Sequence, residues 1–130
     1  MSEKTLRDSV LVVDDSEDFR ELIAMIGKLY GVPVLEAADC RKALNVLAAD
    51  HSKIKLILLD YFMPGMEPKA CVRAIKEKVG PAVAIVLVTA VADPALRAAE
   101  LQLSRWIGKP VEPSTLRELM TQDTFLRKPA

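Results

Sequence analysis

Residues 56–68 read LILLDYFMPGMEP: an apolar run, a carboxylate at Asp60, the aromatic pair Tyr61–Phe62, and a loop that holds Pro64, Gly65 and Pro68. A near-continuous Leu/Ile run is the mark of a strand covered on both faces, as in a parallel sheet flanked by helices. An acid that ends such a run sits at the carboxyl edge of that sheet. In open parallel sheets this edge, at the point where the strand order reverses, is where chemistry is done.

The flanking sequence repeats the signal. Strands are expected at 10–13 (VLVV), 32–37 (VPVLEA), 56–60, 82–88 (AVAIVLV) and 105–108 (RWIG). Helical patterns lie between them. In 16–31 the apolar residues Phe19, Leu22, Ile23, Ile26, Leu29 and Tyr30 form an i, i+3, i+4 stripe, with Ser16 placed to cap and Gly31 placed to stop. Further helices are expected from Cys40 to Asp50 behind Asp39, from Pro68 to Gly80, from Asp93 to Leu103 and from Pro113 to Leu126. Five β–α units in strict alternation predict a doubly wound α/β fold on a five-stranded parallel sheet with right-handed crossovers. A single domain over residues 1–130 is expected, with its core at about 9–126, a frayed RKPA tail and no room for a second domain.

Composition narrows the function classes. Apolar residues make up 51% and charged residues 28%, which suits a packed globule rather than a disordered chain. Lys plus Arg and Asp plus Glu each number 18, so no overall basic field exists to hold nucleic acid or an anionic membrane. MSEKTLRDS is too polar for a signal peptide, and no apolar run reaches the length of a membrane span. Cys40 and Cys71 lie in helical apolar patterns without a C-x-x-C, and His51 is the one histidine, so a zinc site lacks ligands. The two cysteines are expected to be small core hydrophobes in a reducing cytoplasm, and His51 a solvated residue at a helix end.

The strand ends carry the functional groups: Asp14–Asp15 after the first, Asp60 after the third, Thr89–Ala90 after the fourth and Lys109–Pro110 after the fifth. If the first and third strands are neighbours, three carboxylates converge. Crowded like charges raise one another's pKa, and a hard divalent cation held by oxygen alone, such as Mg²⁺, relieves the conflict. A plainer reading has the Asp14–Asp15 turn merely capping the first helix, through Asp15 or Ser16. The third acid, the hydroxyl and the lysine at the other strand ends favour a reactive site. There Asp60 attacks phosphorus to form an acyl phosphate, Asp14 and Asp15 hold Mg²⁺, Lys109 pairs with a phosphoryl oxygen and Thr89 donates a hydrogen bond. Small Ala90 leaves its N–H approachable.

These residues resemble the receiver domains of two-component response regulators. That family has an acidic pair after strand 1, a D-x-x-M-P acceptor motif, Ser/Thr followed by Ala or Gly after strand 4, and K-P after strand 5. Here the matches are Asp14–Asp15, DYFMP at 60–64, VTA at 88–90 and KP at 109–110, with Asp15, Asp60, Thr89 and Lys109 spaced by 45, 29 and 20 residues. The resemblance implies a flavodoxin-like (βα)5 fold with strand order 2-1-3-4-5, and a histidine kinase or histidine phosphotransfer protein as phosphoryl donor. It further implies Mg²⁺ ligation by Asp14, Asp15, Asp60 and the Phe62 backbone carbonyl, and a cis Lys109–Pro110 bond. A Thr89–Trp106 switch would bias an output face of helix 4, strand 5 and helix 5 toward a protein partner. A homodimer is compatible with this.

Four positions depart from the family pattern. Phe62 stands where a smaller or polar residue is usual, and with Val91 it predicts an apolar rim that slows loss of the phosphoryl group. The alternative for Phe62 is simple packing onto helix 3 or a neighbouring loop. Pro68 replaces a usual Gly, Trp106 replaces the commoner Tyr or Phe, and the stretch from Thr89 to Trp106 is about two residues short, which affects helix 4. Two rival functions follow: a phosphorylation-independent receiver-like adaptor, and an aspartyl-phosphate enzyme, which would need D-x-D after its first strand. A DNA-binding regulator is disfavoured by neutral charge and the lack of a helix-turn-helix. On the leading reading the chain is no enzyme beyond promoting its own phosphorylation and dephosphorylation.

Overall fold

Alternation along the strands sorts their side chains onto two faces, and each face has its own core. In the computed structural model, which describes residues 7–122, β1 (Ser9–Val13), β2 (Val34–Ala37), β3 (Ile54–Leu59), β4 (Ala84–Thr89) and β5 (Arg105–Gly108) form one parallel sheet in the order β2-β1-β3-β4-β5. Leu11, Val13, Ile57, Leu59 and Leu87 pack toward α2 (Cys40–Asp50), α3 (Pro68–Val79) and α4 (Pro94–Glu100). Val10, Val12, Leu56, Leu58, Val86 and Val88 pack toward α1 (Glu17–Tyr30) and α5 (Pro113–Thr121). Every residue of β1 and β3 is buried, and apart from Ser9 and Lys55 all are Val, Ile or Leu.

The expected α/β architecture and strand order are therefore present, and the helix ends follow local chemistry. Ser16 Oγ accepts from Phe19 N and Asp39 Oδ1 accepts from Lys42 N, while Gly31 closes α1 at φ 72°. Gly27 also lies where α1 crosses the start of β2: a Cβ there would come within 2.5 Å of the Val32 carbonyl oxygen. Strand 2 begins at Val34 rather than 32, and strand 4 at Ala84, after a short 3-10 turn over Gly80–Ala82. Strand 3 stops at Leu59, so Asp60 is the first residue beyond it. Helix 4 ends at Glu100 instead of Leu103, because Gln102 turns into the left-handed region at φ 60°. The part of the fifth helix expected over 123–126 and the RKPA tail lie outside the described residues. Among the described residues no helix is long and apolar enough to cross a membrane.

One expectation is overturned. Cys40 and Cys71 are buried as expected, but they are not two separate thiols: they form a disulfide with a Cα–Cα distance of 6.0 Å. The cause is that α2 and α3 are neighbours on the same face of the sheet, and each turns its cysteine inward. The cysteines thus give no support to a reducing compartment. A bond that closes 31 residues restricts the unfolded chain, for which loop entropy gives about 3 to 4 kcal/mol of stabilisation. Urea unfolding with and without dithiothreitol should differ by roughly that amount; superimposable curves would refute a stabilising disulfide.

Candidate active site

The register builds the site. Val13 of β1 pairs with Leu59 of β3, so the next residues, Asp14 and Asp60, leave the sheet side by side. Backbone hydrogen bonds continue one step past the strands: Asp60 N donates to Val13 O (3.0 Å), Asp14 N to Ala37 O (3.0 Å) and Lys109 N to Thr89 O (2.9 Å). The sheet thereby fixes the backbones of Asp14, Asp60, Thr89 and Lys109 before any side chain is considered.

Carboxylate oxygens of Asp14, Asp15 and Asp60 lie within 4.8 Å of one another. Their surroundings differ. Asp14 is buried and fully engaged, with Oδ1 accepting from Ser16 N (2.9 Å) and Oδ2 bound by Lys109 Nζ (2.7 Å). Asp15 is exposed. Asp60 accepts from its neighbour Tyr61 N through Oδ1 (2.7 Å), while Oδ2 stands 3.7 Å from Lys109 Nζ. Burial pushes the Asp60 carboxyl above the usual aspartate range; a Thr89 hydrogen bond opposes this, the Asp14 charge adds to it, and Lys109 and Tyr61 N–H oppose it. Lys109 thus serves Asp14 first, with its ammonium 4.5 Å from the centre of the Phe19 ring. The Lys109–Pro110 bond is cis.

The donor set is oxygen alone, acidic and half open to water, and this fits a hard divalent cation such as Mg²⁺ better than a softer metal. Asp60 Oδ2 stands 3.7 Å from the Lys109 ammonium, the carboxyl has the buried Thr89 side chain as a hydrogen-bond partner, and a carboxylate placed this way is able to act as a nucleophile. The capping reading holds in part: Ser16 is the N-cap of α1, and Asp14 Oδ1 accepts from Ser16 N, while the Asp14 Oδ2–Lys109 pair and the nearness of Asp60 lie outside what a cap needs.

Two residues read from the sequence stand apart from the cluster. Trp106 is paired in register with Leu87 at the edge of the sheet and is 45% exposed. The Phe62 side chain is 63% exposed, with its ring edge-on to Tyr61 at 5.0 Å; it does not pack into the core. Tyr61 does, and Arg97 of α4 lies over its ring at 5.7 Å. The sequence reading missed Arg20, which donates from Nη1 to the Asp14 carbonyl oxygen at 2.8 Å and pairs through Nε with Glu36 at 3.3 Å. The available signal was its charge. A cation in the first turn of a helix opposes the helix dipole and therefore needs a local reason.

The comparisons agree with this geometry. The family model for the response regulator receiver domain matches residues 10–121. The positive alginate biosynthesis regulatory protein of Pseudomonas aeruginosa is 33% identical over 115 residues, covering 86% of this chain and 45% of that protein. The phosphate regulon transcriptional regulatory protein PhoB of the same organism is 31% identical over 111 residues, 83% of this chain and 48% of that one. This chain therefore spans a little under half the length of both relatives. The chemotaxis response regulator CheY4 of Vibrio cholerae superposes with a TM-score of 0.75 at 27% identity, covering 86% of this chain and 94% of that one. With that family model matching nearly all of the described residues and two relatives at 33% and 31% identity, the chain belongs to the response regulator receiver domain family.

Proposed function

We propose that Asp60 is the phosphoacceptor of this receiver and that the chain passes the signal on by protein contact. The observation that carries this reading is the asymmetry of the Asp60 carboxylate. Oδ1 is held by the Tyr61 N–H, while Oδ2 faces Lys109. In the transfer, Oδ2 forms the new O–P bond as the N–P bond of a phosphohistidine breaks. The departing imidazole nitrogen keeps the bonding pair and takes a proton from water. The donor class is a histidine kinase or histidine phosphotransfer protein.

Asp14, Asp15 and Asp60, with the Phe62 main-chain carbonyl, are the groups that would hold Mg²⁺, which supplies neutralisation of the phosphoryl oxygens when bound. Lys109 turns from Asp14 toward the added phosphoryl oxygen, and the buried Thr89 hydroxyl donates to another. The Thr89–Trp106 switch would then alter the face formed by α4, β5 and α5, where Trp106 and Leu96 are exposed. The domain proposed is a single cytoplasmic receiver over residues 1–130, able to act alone or as a homodimer.

Incubation with Mg²⁺ and a small phosphodonor should yield a covalent phosphoryl adduct by mass, and Asp60→Asn should lose it. An unmodified chain that also ignores beryllofluoride would point to the phosphorylation-independent adaptor. The raised Asp60 pKa has a stability consequence. The charged carboxylate costs the folded state, so the Asp60 contribution is favourable in acid and lost as pH rises through the folded pKa. In Mg²⁺-free buffer, Asp60→Asn should therefore unfold at a higher temperature than wild type at neutral pH. The gap should close toward pH 3.8, the ordinary aspartate value; a gap that widens in acid would contradict the burial effect. Finally, Phe62, two residues after the acceptor, has an exposed ring, and half-buried Val91 donates from its N–H to Thr89 Oγ1 at 3.4 Å. Phe62→Asn should speed dephosphorylation several-fold by admitting and orienting water; an unchanged or slower rate would sink the apolar-rim reading.

A further inference from the structure

We infer that Arg20 and Glu36 form a positioning pair that presets the acidic turn for its cation, an inference that rests on the Mg²⁺ reading of Asp14 and Asp15. Arg20 springs from the first turn of α1, and its guanidinium is mostly covered, with 16% of the side chain exposed. It joins three elements. Nη1 donates to the Asp14 carbonyl oxygen at 2.8 Å, Nε reaches Glu36 Oε1 on β2 at 3.3 Å, and Glu36 lies in register beside Val12 of β1.

The grip falls on the peptide group between Asp14 and Asp15. The Asp14 carboxylate is already fixed by Ser16 N and Lys109, and its own N–H by Ala37 O. Its carbonyl is the remaining handle, and that carbonyl shares a rigid plane with the nitrogen of Asp15. Holding it sets the direction in which the Asp15 Cα leaves. Asp15 is exposed, and among the described residues no hydrogen bond tethers its carboxylate. Arg20 therefore supplies from behind the order that water does not supply from the front.

Electrostatics alone predicts the opposite sign, and this makes the inference testable. A guanidinium next to a cation site repels the cation, so a bystander arginine weakens binding and its removal strengthens it. A positioning arginine does the reverse, because partners behind metal ligands commonly change affinity by about 10- to 100-fold.

The experiment is calorimetric titration of the whole chain with MgCl₂ at constant ionic strength, for wild type, Arg20→Met, Arg20→Lys, Glu36→Gln and Asp15→Asn. Arg20→Met keeps the stem and should weaken Mg²⁺ binding by about tenfold. Arg20→Lys keeps the charge but loses the two-pronged geometry, and should fall between wild type and Arg20→Met. Glu36→Gln, which leaves the arginine in place without its anchor, should weaken binding by a smaller factor and serves if Arg20→Met does not fold. Equal or tighter Mg²⁺ binding by Arg20→Met, or by both Arg20→Lys and Glu36→Gln, overturns the positioning role while the Mg²⁺ site stands. Absence of Mg²⁺ binding to wild type, or wild-type affinity in Asp15→Asn, overturns the site and this inference together.

Discussion

Asp14, Asp15 and Asp60 bring carboxylate oxygens within 4.8 Å of one another at the end of a sheet whose interior is hydrocarbon. Two unit charges 4 Å apart repel by about 4 kcal/mol at the effective dielectric of a protein surface, so three such acids need compensation. Each receives a different kind. Asp14 has Lys109 and a backbone N–H, Asp15 has water, and Asp60 has the Tyr61 N–H, a Thr89 hydrogen bond and a longer share of Lys109, against a burial that still displaces its pKa upward. Asp60 is the acid whose partners do not offset its burial. The strain left in the charge set is thus concentrated on Asp60, where an added cation or phosphoryl group changes the balance most.

That concentration depends on register more than on the identity of the acids. Had β3 paired one residue out of step, Asp60 would lie opposite a different residue of β1 and would no longer leave the sheet beside Asp14. The register is guarded by burial: all of β1 and β3 is covered, on faces that alternate between the two cores. This is why so much was legible in the sequence. Continuous Val, Ile and Leu located the strands, and the first polar residue after each run located Asp14, Asp60 and Lys109. Thr89 was found as the polar end of the fourth run, because its buried hydroxyl interrupts hydrocarbon.

What sequence did not reveal shares a physical cause. Periodicity states which side of a helix faces inward, but not which helix lies next to it. Cys40 and Cys71 were correctly placed on inward faces, yet their bond depends on α2 and α3 being lateral neighbours. Arg20 is similar: its partners are a carbonyl of β1's exit turn and a side chain of β2, sixteen residues away from it in the chain in the case of Glu36. The end of helix 4 was lost for a different reason. Leu101 and Leu103 are buried, so the apolar pattern runs on to 103, while the backbone leaves the helix at Gln102 with φ 60°. Burial and helicity diverge there, and periodicity reads only the first.

The oily loop after Asp60 follows from the same neighbour relations. Tyr61, Met63 and Met66 pack against the core cluster that contains the disulfide, whereas Phe62, Pro64 and Gly65 face out. Alternate residues thus pin the loop to the face of α2 and α3 by hydrophobic contact. Its two ends are fixed as well: Asp60 N bonds to Val13 O, and in α3 Cys71 N bonds to Glu67 O while Cys71 Sγ is tied to Cys40. Within this frame Gly65, at φ 101°, takes a backbone conformation that a residue with a Cβ would resist. Pro68 can therefore stand at the first position of α3 without depriving the loop of its bend, because the bend is made three residues earlier. Loop adjustment toward a ligand at Asp60 is confined to the span between two anchored ends, and the exposed Phe62 ring rides on the part of that span nearest the acceptor.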